Sequence, residues 1–143
     1  AWLGPAQVAL AIMAGHGSLA VGRRPVLAVL DSGDELVANP ALAHGGAIPA
    51  SNGAMLAAMA APLTERVLRL GPVPDRMDAM LGALEQAEGA DVLVTSGGAS
   101  VGDHDLVRPA LARWGAEIAF WRIALRPGKP LLVARRGATL ILG

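Results

Sequence analysis

The sequence has no cysteine. That excludes disulfides and thiolate metal sites, and it fits a reducing, cytoplasmic setting. Aromatic residues are only 3% of the chain, so a core has to be assembled from alanine, valine, leucine, isoleucine and methionine. Charge of neither sign prevails, with twelve Lys+Arg against twelve Asp+Glu. No segment carries a basic stripe, so bulk attraction to nucleic acid or to an anionic membrane is not indicated. No apolar run reaches the roughly 18 residues of a membrane-spanning helix. Internal repeats and low-complexity segments are also missing. What the chain has in quantity is hydrophobicity: 53% of 143 residues, enough for one compact domain of the usual size of roughly 100–150 residues. It opens on Ala1 and stops within an apolar stretch, and it is expected to be a piece of something longer.

The pattern along the chain predicts alternating helices and strands. Residues 4–14 are alanine-rich, with Pro5 suited to a first helical position. A turn at Gly15-His16-Gly17 follows, so residues 1–22 are expected to end a preceding region and residues 23–143 to form an α/β domain. Residues 26–30 (VLAVL) predict a strand buried on both faces. Residues 31–50 read as a long polar loop, a feature often functional in compact domains. Ser51 or Asn52 can cap a helix that runs to about residue 61. Residues 67–70 predict a second strand. From Asp75 an amphipathic helix carries Met77, Met80, Leu81 and Leu84 at helical spacing, with Gly89 ending it. A third buried strand covers residues 91–96, and Pro109 fits the first turn of the next helix. Residues 117–125, 130–134 and 138–142 read as strands, the last two joined by a tight turn at residues 135–137. Trp114, Phe120 and Trp121 fit a core better than a stacking platform. The order points to a three-layer αβα sandwich with a mostly parallel sheet and an antiparallel edge.

In such a sheet ligands bind outside the carboxyl ends of the strands, and three polar segments fall there. The first groups Asp31, Asp34 and Glu35 around Gly33. It can hold a hard cation such as Mg²⁺, act as a general acid or base, or be a solvated turn. The second offers Asp75, as a helix cap or as a rim carboxylate. The third, Thr95 to Asp105, places Gly97, Gly98 and Gly102 where backbone amides can approach an anion, with Ser96 and Ser100 as hydroxyl donors. It matches neither a P-loop nor a dinucleotide fingerprint. His16, His44 and His104 show no ligand spacing for a transition metal. Arg126 and Lys129 flank a Pro-Gly turn, either an ordinary hairpin or a basic clamp for an oxyanion.

These segments, in this order, resemble the MoeA-type molybdopterin molybdenumtransferases. RRPVLAVLDSGDELV is similar to their strand and (S/T)GDEL loop, and GGAIPASN to their segment ending in Ser-Asn. ADVLVTSGGASVGDHDLVRPAL is similar to their SGGxSxGxxD loop, and GAEIAFWRIALRPGKPLLVA to their FWxxxxxPGKP stretch. The resemblance covers the chain from about Arg24 onward. It implies insertion of molybdate into adenylylated molybdopterin with release of AMP, a divalent cation such as Mg²⁺, and a homodimer, with an adenylyltransferase as a partner enzyme. Carried over by motif, Glu35, Asp75 and Asp105 are catalytic carboxylates, with Asp34 and Glu35 together as the expected Mg²⁺ ligands. Ser96, Gly97, Gly98, Ser100, Gly102, Asn52, Arg126 and Lys129 bind the pterin or its phosphate. Two departures stand out: Asp31 adds a carboxylate where small or hydroxyl residues are usual, and Pro49-Ala50 replaces a more polar pair. Two alternatives share the pattern. One is molybdopterin adenylyltransferase, whose glycine loop usually reads GGTG. The other is a non-catalytic, gephyrin-like scaffold.

Overall fold

The computed structural model describes residues 3–97, 106–121 and 131–143. Its centre is the apolar run foreseen at residues 26–30, which becomes β1 (Val26–Ser32). Val26, Ala28 and Leu30 join the main core, while Leu27 and Val29 are buried outside that cluster. A strand buried on both faces needs neighbours on both edges, and β1 has them. It pairs in parallel with β4 (Arg66–Val73) and with β5 (Val92–Ser96). β8 (Thr139–Leu142) continues the parallel part beside β5. β7 (Leu132–Arg136) and β6 (Glu117–Trp121) close the sheet antiparallel, in the order β4-β1-β5-β8-β7-β6. The mostly parallel sheet with an antiparallel edge is thus as read from the pattern.

The helices follow from the crossovers. α3 (Met77–Gln86) and α4 (Val107–Arg113) pack against each other and supply Met80, Ala83, Leu84, Val107, Ala110 and Leu111 to the core. α2 (Ser51–Ala60) packs against β1 and β4 and buries only Gly53. α1 (Pro5–Met13), with Pro5 at its start, buries no residue at all.

Several expectations need correction. The stretch read as one loop, residues 31–50, contains β2 (Leu36–Val37) and β3 (Ile48–Pro49), paired in parallel as a small separate sheet. Two residues per strand are too few to show a period. Ser51 and Asn52 are not caps: Ala50 holds that position, and both lie in the first turn of α2. Asp75 does not cap α3 either, because Arg76 takes the extended capping position without a side-chain bond. β4 runs on to Val73, beyond the expected residue 70, because Gly71 accepts a φ of 134°. The β7–β8 turn falls at residues 137–138, later than expected, with Gly137 at φ 56°. Phe120 is exposed on the edge strand β6, whereas Trp114 is buried. Residues 122–130, expected to continue β6 and begin β7, lie outside the described residues.

Ahead of β1, the Arg23 guanidinium donates twice to the Asp91 carboxylate, at 2.7 and 2.5 Å, and the Val26 amide donates to it at 2.7 Å. The hydrogen bond from Arg23, then that from Val26, hold the Asp91 carboxyl below the ordinary aspartate value of 3.8. A lowered folded value means that this contribution to stability is complete above the ordinary value. It is lost as the pH falls through the lowered one. Acid titration of unfolding is therefore expected to show Asp91→Asn losing stability at neutral pH and losing part of the wild-type acid dependence as the pH falls below the ordinary aspartate value; an unchanged acid limb would contradict the clamp. Leu93 is fully buried at the centre of β5, and Leu93→Ala is expected to cost about 2–5 kcal/mol in denaturant titration.

Candidate functional site

The crossovers from β1 and β5 leave in opposite directions along the sheet, since β1 leads to β4 on one side and β5 leads onward to strands on the other. Adjacent parallel strands whose connections diverge leave a crevice beyond their carboxyl ends. A cleft of about 200 Å³ opens there. Asp31 and Ser32 come from the end of β1, Ser96 and Gly97 from the end of β5. Glu35 and Leu36 belong to the turn into β2, and Ile48 and Pro49 are β3 itself. Ala50, Ser51 and Asn52 complete the wall at the start of α2.

Backbone conformation makes this meeting possible. Gly97 leaves β5 at φ 99°, and a Cβ there would sit 3.0 Å from the Ser32 carbonyl oxygen, so the two strand ends touch through a missing side chain. Gly33 turns the chain after β1, with the Glu35 carboxylate folded against it. The small β2–β3 sheet then carries the chain across to α2, through backbone bonds from Ile48 to Glu35 and from Ala50 to Val37.

Of the residues singled out in the sequence, Asp31, Glu35, Asn52, Ser96 and Gly97 line one cleft. Asp34 and Asp75 are brought together at its margin, where the Asp75 amide donates to Asp34 Oδ1 at 2.9 Å. Arg76 adjoins them, its guanidinium raised above its ordinary value by the hydrogen bond to Asp78, with Asp34 contributing less. Gly98, Ser100, Gly102, Asp105, Arg126 and Lys129 lie outside the described residues. Sequence reasoning passed over Ser32, Ser51, Leu36 and Ile48. The serines were legible in principle, since one ends a strand and the other begins a helix. The two apolar residues were not, because their two-residue strands left no pattern.

The first acidic segment does not by itself fit a resident Mg²⁺. One Asp34 oxygen is engaged by Asp75, and no group of three or more His, Asp or Glu is placed to hold a metal among the described residues. An all-protein cage for a hard cation takes about six oxygen ligands.

Asp31 is the cleft's buried charge, 2% exposed. Arg69 Nη2 stands 3.4 Å from its Oδ2, a long contact. Gly53 faces it from α2, and a Cβ at that position would overlap the Asp31 carboxylate. With the Asp31 side chain placed as it is, the absence of a Cβ at Gly53 lets the helix lie this close to the strand end.

The fold is an open α/β sheet with a polar cleft at its switch point, the place where such sheets bind small ligands. Residues 28–142 match the family described as a probable molybdopterin binding domain, and the chain belongs to that family. It is 34% identical over 140 residues to the molybdopterin molybdenumtransferase of Bacillus subtilis, covering 97% of this chain and 33% of that protein. Identity to the molybdopterin molybdenumtransferase of a Nostoc species is 37% over 133 residues, covering 92% of this chain and 30% of the relative. A solved molybdopterin biosynthesis MoeA protein from Pyrococcus horikoshii superposes with a TM-score of 0.79 at 29% identity, covering 99% of this chain and 35% of that one. A Thermus MoaB structure, at 18% identity and a TM-score of 0.58 over 82% of this chain and 79% of its own, shares the fold alone. The chain spans about a third of the length of the molybdenumtransferases it matches.

The Gly53–Asp31 contact gives a direct test. Alanine is the better helix former by about 1 kcal/mol, yet Gly53→Ala is expected to lower the melting temperature. Combining it with Asp31→Ala should recover much of the loss, measured as a double-mutant cycle. A single Gly53→Ala variant more stable than wild type would show that the contact is absent.

Proposed function

We propose that this chain is the pterin-binding domain of a molybdopterin molybdenumtransferase, which inserts molybdate into adenylylated molybdopterin and releases AMP. The observation that carries the reading is the convergence of Glu35, Asn52, Ser96 and Gly97 on one cleft at the carboxyl ends of β1 and β5. Its support from relatives is the likeness to molybdopterin molybdenumtransferases, 30–37% identical over most of this chain. The domain proper begins near residue 23, and residues 1–22 belong to a preceding region. A cytoplasmic homodimer, met by an adenylyltransferase that delivers its substrate, is part of the same proposal.

The chemical problem is to bring two anions together, a pyrophosphate-bearing pterin and molybdate, each of which repels the other. Donors fixed in advance lower that cost, since they need not reorganise during reaction. In the proposed arrangement the amides and hydroxyls at Ser96, Gly97, Gly98, Ser100 and Gly102 bind the pterin or its phosphate, and Arg126 and Lys129 offset charge. Asn52 contributes an amide from α2. Glu35 acts at the reacting centre, positioning water and the oxo groups that move, and Asp75 and Asp105 assist it. A Mg²⁺ is proposed only as a counter-ion arriving with the substrate's phosphates, because Asp34 and Glu35 do not hold one alone.

The adenylyltransferase reading rests on fold likeness and is not favoured: the identity is to molybdenumtransferases, and the loop from Gly97 lacks the GGTG form. In the full-length protein, Glu35→Ala is expected to reduce molybdate-dependent AMP release at least a hundredfold while leaving the melting temperature within a few degrees of wild type. AMP release at the wild-type rate in a folded Glu35→Ala protein would overturn the assignment of Glu35.

A further inference from the structure

The acidic turn that follows β1 is tied to three other segments of the chain. Asp34 and Glu35 are its two central residues, since the Leu36 amide donates to the Gly33 carbonyl at 3.1 Å. The Gly33 amide donates to the Val73 carbonyl at 3.1 Å, which binds the start of the turn to the end of β4. The Ile48 amide donates to the Glu35 carbonyl at 2.8 Å, which binds its far side to β3. The last tie is the donation of the Asp75 amide to Asp34 Oδ1 at 2.9 Å, across 41 residues of sequence.

Among these four bonds, only that to Asp34 depends on a side chain, so it is the one that a substitution can remove without moving backbone. Its position is informative. Asp34 shares a peptide bond with Glu35, and its carboxylate holds the backbone of Asp75 at the corner leading into α3. It therefore links the two described acids to which the motif resemblance gives catalytic roles. The neighbouring Arg76 guanidinium donates to Asp78 at 2.9 and 3.2 Å, and what Asp34 meets at this corner is an amide. The Glu35 carboxylate rests over Gly33, where an added Cβ would fall 2.6 Å from Oε2. A shift of the turn thus carries Glu35 with it. Displacement of a reacting group by as little as about 1 Å can cost about a hundredfold in rate.

We propose that Asp34 is a positioning residue: by accepting from the Asp75 amide it sets the turn of Glu35 against the corner of α3 and fixes Glu35 and Asp75 relative to each other. The inference rests on the molybdenumtransferase reading above and gives Asp34 a task other than holding a cation. That task needs an acceptor oxygen at one place and not a charge. A carboxamide supplies the same oxygen as a carboxylate, which separates the two roles experimentally.

The test measures molybdate-dependent AMP release by the full-length protein, together with hydrogen exchange over residues 33–36 and 74–76. Asp34→Ala is expected to lower kcat about ten- to a hundredfold and to move KM by less than about threefold, with faster exchange in both segments. Asp34→Asn keeps the accepting oxygen, and it is expected to restore kcat to within about threefold of wild type and exchange to the wild-type rate. Asp34→Glu keeps the charge but displaces the oxygen, so it should fall with the alanine variant, and it serves if that variant fails to fold. An Asn variant as slow as the Ala variant, or a Glu variant as fast as wild type, would show that the charge acts and would overturn the role. Wild-type exchange in the Ala variant would overturn it too, and each of these results leaves the family reading standing. No AMP release by wild type would overturn both.

Discussion

The divergence of two neighbouring strands is the constraint on which the rest of this structure depends. β1 and β5 lie side by side in register from Leu27 and Val92 to Asp31 and Ser96, and their onward connections then part. Parallel strands cannot be joined by a tight turn, so each must send the chain over a face of the sheet. Where neighbouring strands send it in opposite directions, a gap is left between the two connections at their ends. The crevice is thus a consequence of topology, and the sequence decides only what lines it.

What lines it follows from close approach. Gly97 and Ser32 touch backbone to backbone, and Gly53 lets α2 rest on a carboxylate. Two glycines far apart in sequence therefore hold the walls of one cleft at a fixed separation. Aliphatic packing beneath makes that separation rigid: Leu30, Leu93 and Ile141 are fully or almost fully buried in three adjacent strands. An alanine-rich chain with few aromatics builds this core from many small contacts, and Met80, Leu84 and Leu111 fill it from the helix layer. The opposite end of the sheet is tied electrostatically. Arg136 donates to the Trp114 carbonyl at 2.7 Å and to Glu88 at 2.8 Å, so the ends of α3, α4 and β7 meet at one guanidinium.

The parts of this architecture that were legible in the sequence share a physical basis. Runs such as residues 26–30 and 91–96 must be buried on both faces, and burial of that kind belongs to parallel sheets. The helical stripe of Met77, Met80, Leu81 and Leu84 was equally plain, and its inner members are buried as expected. Local capping was not legible. Ser51, Asn52 and Asp75 are all residues that favour helix caps, yet none caps a helix: Ala50 and Arg76 hold the capping positions. Nor were β2 and β3, whose pairing depends on the chain returning at Ile48 to a partner twelve residues earlier. The buried state of Asp31 was hidden for the same reason: a carboxylate at a strand end looks solvated until the helix that covers it is in place.

The central claim is that the ligand of this domain sits between the ends of β1 and β5. Crystals of the full-length protein grown with a pterin ligand test it most directly. The account requires ring density bounded by Asp31 and Ser32 on one side and by Ser96 and Gly97 on the other. Ring density at another surface, with this cleft holding only water, would contradict it.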